Sequence, residues 1–163
     1  MKIIYLKQLI LLAVLLAATI RLSAQYSFST DYFKININGK GYITSMKNIA
    51  KDSRSRGKEF SPAGNPSPVM SLLKKYWIKD SPGAAVTKYE YAYPKSLRYD
   101  KRNHTIVLTY PGGETAVVYV AAKRKYIKFK LLSLRPYNNK QVEAIVWGPY
   151  KTGIDNLFGE VIG

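Results

Sequence analysis

In Phe33-Lys34-Ile35-Asn36-Ile37-Asn38-Gly39-Lys40-Gly41-Tyr42-Ile43, apolar and polar side chains alternate and then meet a turn signal. Phe33, Ile35 and Ile37 fall on every second position, the period of a strand with one buried face. Asn38-Gly39 is the strongest short hairpin signal, because both central positions of a type I′ turn need positive φ. A return strand through Tyr42, Ile43 and Met46 completes the expected hairpin. Working outward, Tyr26–Ile37 is rich in aromatic and β-branched residues and reads as one strand. Residues 47–68 read as a long basic loop, with Pro62, Pro66 and Pro68 close together. Val69–Ile78 is apolar, a strand or a helical turn. Ser81-Pro82-Gly83 is a turn. Thr105–Tyr110, Thr115–Ala122, Tyr126–Leu134 and Val142–Trp147 read as further strands, separated by Pro111-Gly112-Gly113 and Lys123-Arg124-Lys125. Short strands at this spacing predict an all-β antiparallel sandwich or barrel, with one face solvated at Lys128 and Lys130, and of the two an antiparallel β-sandwich is the expected fold.

The chain has 163 residues and a formal net charge of +16, with 14 Tyr, one His and no Cys. The absence of Cys excludes disulfides, thiolate metal sites and Cys nucleophiles. A single His excludes a three-His zinc site. No phosphate loop, metal spacing or nucleophile elbow is present, so no cofactor and no metal are expected.

Lys2 and Lys7, the apolar run Leu9–Ile20 and the small residue Ala24 have the order of a secretory signal. Residues 1–24 are expected to be a signal helix removed on export, and residues 25–163 a single partial domain. The competing reading, an uncleaved anchor, needs roughly 20 apolar residues. The expected location is periplasmic, cell-surface or secreted, with no stable membrane span after cleavage and no nucleic-acid partner. Without Lys2, Lys7 and Arg21 the mature chain still carries +13, so the excess charge belongs to the folded part.

Three groups of side chains are candidates for chemistry. Only Glu90 and Glu143 among the carboxylates fall inside apolar or aromatic runs; the rest, Glu114 included, sit beside turns, loops or the chain end and read as solvated. His104, before a strand, reads as an exposed turn residue rather than a general base. Tyr89, Tyr91 and Tyr93 occupy alternate positions and share one face of a strand. With Trp77 they offer stacking faces for sugar rings, although each ring taken singly reads as packing, and Trp147 as core. Arg54, Arg56 and Lys58, with Lys123–Lys130, could contact a polyanion by long-range attraction. The expected ligand is a carbohydrate, with an anionic one preferred, and no residue is assigned a catalytic role.

Several stretches together carry a resemblance: Ser67-Pro68-Val69-Met70-Ser71-Leu72-Leu73, Tyr93-Pro94-Lys95-Ser96, Tyr126-Ile127-Lys128-Phe129, Trp147-Gly148-Pro149-Tyr150 and Gly159-Glu160-Val161-Ile162-Gly163. The chain resembles the N-terminal, galactose mutarotase-like β-sandwich of large exported glycan-processing proteins of Bacteroidetes-type bacteria. The resemblance covers about residues 28–163. It implies a supersandwich with a catalytic domain downstream, often a (β/α)8 barrel. Such a fold needs more strands than this chain supplies, so a truncated or partial domain is expected. The implied function is a non-catalytic module that supports the downstream domain and contacts glycan. Two other classes stay open: a fragment of a glycoside hydrolase or polysaccharide lyase using Glu90 or Glu143, and a cell-surface adhesion module.

Overall fold

The computed structural model describes residues 24–61, 64–81, 84–135 and 141–150. The expected signal segment, apart from Ala24, and the stretch Gly159–Gly163 lie outside the described residues. The chain is all-β, with eleven strands in three antiparallel sheets. The first sheet has the order β1 (Gln25–Ser29), β2 (Phe33–Asn38), β3 (Tyr42–Asn48) and β4 (Ser67–Pro68). The second has β10 (Ile127–Arg135), β9 (Thr115–Ala122), β8 (Thr105–Thr109) and β7 (Ser96–Asp100). The third places β5 (Met70–Ser81) between β11 (Gln141–Trp147) and β6 (Ala84–Ala92). Among the described residues there is no helix, and so none long and apolar enough to cross a membrane.

Strand alternation builds the core in a sandwich-like arrangement. Ile35, Ile37 and Ile43 from the first sheet meet Ile106, Leu108, Ala116, Val118 and Val120 from the second, and Val69, Met70 and Leu72 join them at the start of β5. On β8, and on β9 as far as Val120, every second residue is buried and the intervening ones are half-buried, so one face is turned to the core. The Leu97 amide donates to the Gly39 carbonyl at 2.7 Å, tying the first hairpin to the β7 strand.

The hairpin forms where the alternation places it, with a different turn. Of its turn residues only Gly41 has positive φ, at 88°. The Gly41 amide donates to the Asn38 carbonyl, and the Asn38 side chain accepts from the amides of Lys40 and Tyr42. This is a type I turn closed by a left-handed glycine, not a type I′ turn at Asn-Gly. Gly41 is also required for space, because a Cβ there would lie 2.8 Å from Leu108. Tyr26–Ile37 is two strands rather than one. Thr30 breaks it, its hydroxyl accepting from the amides of Tyr32 and Phe33, a local turn that competes with the ladder.

The basic loop is largely as expected, with turns over residues 51–57, but Lys47 and Glu59 form a bridge and β4 pairs with β3. Val69–Ile78 resolves in favour of strand. Strand β7 was not among the expected strands, although it alternates: Leu97 is buried and Tyr99 half-buried between exposed Ser96, Arg98 and Asp100, and β8 supplies its partners. Trp147, expected in the core, is 39% exposed. It ends the edge strand β11, where its ring lies against Phe129, centroids 6.2 Å apart.

Candidate functional site

The third sheet and the turn between β8 and β9 enclose a cleft of about 460 Å³, lined by Tyr42, Lys74, Tyr76, Glu90, Tyr91, Ala92, Tyr93, Pro111 and Gly112. Its floor comes from an interrupted pattern. Met70, Leu72 and Lys74 occupy alternate positions of β5, so a lysine stands where the next apolar residue would be. Lys74 is 3% exposed and forms an ion pair with Glu114, which is fully buried. Glu114 was expected to be solvated. The tight turn over residues 111–113, with Gly113 at φ 89°, instead folds the chain back so that Glu114 is carried inward against β5. Gly112 covers the pair: a Cβ there would lie 2.6 Å from both Glu114 oxygens and from the Lys74 ammonium.

The walls are tyrosines. Tyr91 and Tyr93 stack with ring centroids 6.3 Å apart and planes 17° from parallel. Burial, and then the charge of Tyr93, push the Tyr42 hydroxyl up from its ordinary value. Burial also raises Tyr76, against the opposing charge of Lys74; Glu90, by charge and hydrogen bond, and Glu114 add to the rise. These hydroxyls stay neutral at ordinary pH and can both donate and accept. Below the cleft, Tyr110 is fully buried, donates to the Met70 carbonyl at 3.1 Å and is pushed well up by burial. Tyr42 and Tyr93 also border a second hollow of about 230 Å³ with Asn65, Pro66, Ser67, Pro68 and Pro149. Beside it Tyr150 donates to the Val69 carbonyl at 2.9 Å, and burial pushes its hydroxyl up to about 12.

Of the sequence-derived candidates, Tyr91 and Tyr93 come together in the cleft. Tyr89 and Trp77 do not line it. Tyr89 pairs with Lys75, and Trp77 with Thr87, so both lie farther along the same face of β5 and β6 as Tyr91. All four rings are exposed, Trp77 to 66%, which removes the expectation that they fill the core. The Lys75 ammonium sits 5.3 Å from the Trp77 ring centroid and covers one of its faces. Glu90 lines the cleft, whereas Glu143 stands exposed at a bulge on β11. Strand β5 lies between them, which sets their backbones two strand spacings, about 10 Å, apart. His104 is an exposed turn residue with φ 53°.

Arg54, Arg56 and Lys58 are exposed. Arg56 lines a separate cleft of about 840 Å³ with Thr30, Asp31, Tyr32, Lys51, Asp52 and Arg124, among others. Arg124 is paired there with Asp31 at 2.9 Å. The Lys58 ammonium lies 5.8 Å from the Phe60 ring centroid. Among the described residues no cluster of three His, Asp or Glu could hold a metal ion.

Sequence reasoning missed Tyr42, Lys74, Gly112 and Glu114 as parts of one site. The available signal was Lys74 itself, a charge at a core-facing position of an apolar strand, which requires a buried counter-charge. No protein-family model matches the chain, and no curated protein or solved structure matches it either.

Proposed function

We propose that this domain is a carbohydrate-contacting β-sandwich module of an exported glycan-processing protein, related to the mutarotase-like supersandwiches, with catalysis left to another domain. The observation that carries the reading is the stacked, exposed pair Tyr91 and Tyr93 on the wall of an open cleft, continued along one sheet face by Tyr89 and Trp77. Sugar rings present C–H faces that stack on aromatic rings, and tyrosine adds a polar edge for their hydroxyls. A cleft rimmed by four tyrosines, with a rigid ion pair under it, offers both kinds of contact.

Affinity electrophoresis of the purified protein against neutral and acidic polysaccharides tests the reading. At least one polysaccharide should retard it, and Tyr91→Ala should remove most of that retardation while leaving the unfolding midpoint unchanged. No retardation by any polysaccharide at low salt would make the tyrosines surface features of a structural domain.

A further inference from the structure

We propose that the outer edge of β6 pairs with the same edge of a second copy of this chain, antiparallel and in one register, joining two third sheets into a continuous six-stranded sheet. The proposal does not depend on the carbohydrate reading, because pairing at an edge leaves open the sheet face that carries Tyr89 and Tyr91. Strand β6 pairs with β5 on one side and, among the described residues, with no strand on the other. Strand β11 accompanies β5 only as far as Lys75, the partner of Gln141. From Tyr76 outward, β5 and β6 therefore form a two-stranded ribbon among the described residues, and a ribbon of that kind is marginal by itself in water. It also carries large apolar side chains that it does not bury, since Trp77 and Val86 are exposed, as is Tyr89 at its root. A further strand along β6 supplies the support that β11 does not reach.

The charges of β6 select the strand that fits. Lys88 and Glu90 are exposed and share one face, with Tyr89 between them on the other. A two-fold axis perpendicular to the sheet relates antiparallel edges, keeps each face on its own side and passes beside one residue of each strand. With the axis at Lys88 two ammonium groups stand opposite each other, and at Glu90 two carboxylates do; both arrangements are destabilising. With the axis at Tyr89, Lys88 of each copy stands opposite Glu90 of the other, Tyr89 meets Tyr89, and Val86 meets Ala92. Glu90 already hydrogen-bonds the Tyr76 hydroxyl of its own chain, and a carboxylate has acceptor sites left for an ammonium. A lysine on an edge strand ordinarily blocks pairing; Glu90 two positions later makes the same lysine specify a register. The other edges lack this self-complementarity. Strand β4 has two residues, one of them proline, and β1 has no charge. The charges of β10 are all basic, and β11 has Glu143 alone. Strand β7 repeats the order in Arg98-Tyr99-Asp100, but it is five residues long, and its Asp100 carboxylate already accepts from the amides of Arg102 and Asn103 and from the Asn103 side chain.

Sedimentation equilibrium of the purified protein across the micromolar range should show a dimer. Lys88→Glu and Glu90→Lys should each weaken self-association about tenfold or more, by setting like charges opposite each other twice. An equimolar mixture of the two variants should dimerise again, because each then supplies the charge that the other lacks. The chain has no cysteine, so a register test needs one substitution. Directly opposed residues of an antiparallel pair have Cα atoms about 5 Å apart, within disulfide range. Tyr89→Cys should therefore form a disulfide-linked dimer on air oxidation. Thr87→Cys should not, because its copy lies four positions away, about 13 Å along the strand. A monomer throughout the concentration range overturns the proposal. So does a dimer that both charge variants leave intact, or one that Thr87→Cys links as readily as Tyr89→Cys. If the mixed variants stay monomeric while each keeps the wild-type unfolding midpoint, the register is refuted; if either variant fails to fold, the cysteine pair decides it.

Discussion

The buried pair Lys74–Glu114 determines more about the site than any exposed ring. Two charges removed from water cost several kcal/mol each, and their mutual attraction returns that only while both are present. Removing one partner, as in Glu114→Gln or Lys74→Met, should lower unfolding stability by about 3 kcal/mol. Replacing both together by Lys74→Met and Glu114→Leu should recover most of the loss, since apolar pairs often substitute for buried ionic ones without cost. Urea unfolding of the three variants decides this; a double variant no better than the singles would mean that the pair organises the turn as well as neutralising itself. This pair also marks where reading side chains in order stops being informative. Lys74 was visible as an oddity in β5, but its partner stands forty positions later, beside a glycine turn where carboxylates are ordinarily solvated.

Elements were more legible than residues. Alternation in Phe33–Ile37 and Ile127–Leu131 placed strands that the structure contains, because burial of one sheet face leaves a period of two in the side chains. What escaped were features set by hydrogen bonds of single side chains: the Thr30 break, the Asn38 turn and the anchoring of the basic loop. That anchor is Glu59, which accepts from the Ser45 hydroxyl at 2.6 Å and from the amides of Met46 and Ser61, pinning the loop to β3. Partial burial pushes its carboxyl up, but these bonds and the charge of Lys47 outweigh it, so it titrates below the ordinary range near 4.5. A depressed carboxyl contributes stability that is complete above its unfolded value and is lost as pH falls through the folded one. The protection of the Met46 and Ser61 amides against exchange should therefore hold near neutrality and decline in acid, as pH falls below the ordinary carboxylate range. Glu59→Ala should reproduce the acid behaviour at neutral pH, at a cost of about 1 kcal/mol after allowance for solvent screening. Protection unaffected by either change would place the anchor in the Asn48 hydrogen bonds with Ser53 and Ser55 instead.

For the whole molecule, the arrangement places Tyr91 and Tyr93 in one cleft and Arg56 and Arg124 in another. Strands β3 and β9 both run from the tyrosine end to the basic end: Tyr42 lies in the tyrosine cleft and Ile49, just past β3, in the basic one. Stacking on tyrosine does not depend on exposed charge, whereas attraction by surface arginines is screened by salt. Retardation by a neutral polysaccharide should therefore be nearly independent of ionic strength. It should be lost in Tyr91→Ala and kept when Arg54 and Arg56 are both changed to Glu. Retardation by a sulfated or uronic polysaccharide should fall steeply as salt rises, be reduced by the paired arginine changes and be little affected by Tyr91→Ala. Because the two clefts share no lining residue, the free-energy changes should add in the combined variant to within about 0.5 kcal/mol. Strong non-additivity would show one glycan chain engaging both ends at once. A polymer can do this across about 27 Å where a short oligosaccharide cannot, so the same measurement on tetrasaccharides separates the two cases: additivity returns if the coupling runs through the ligand and persists as non-additivity if it runs through the fold.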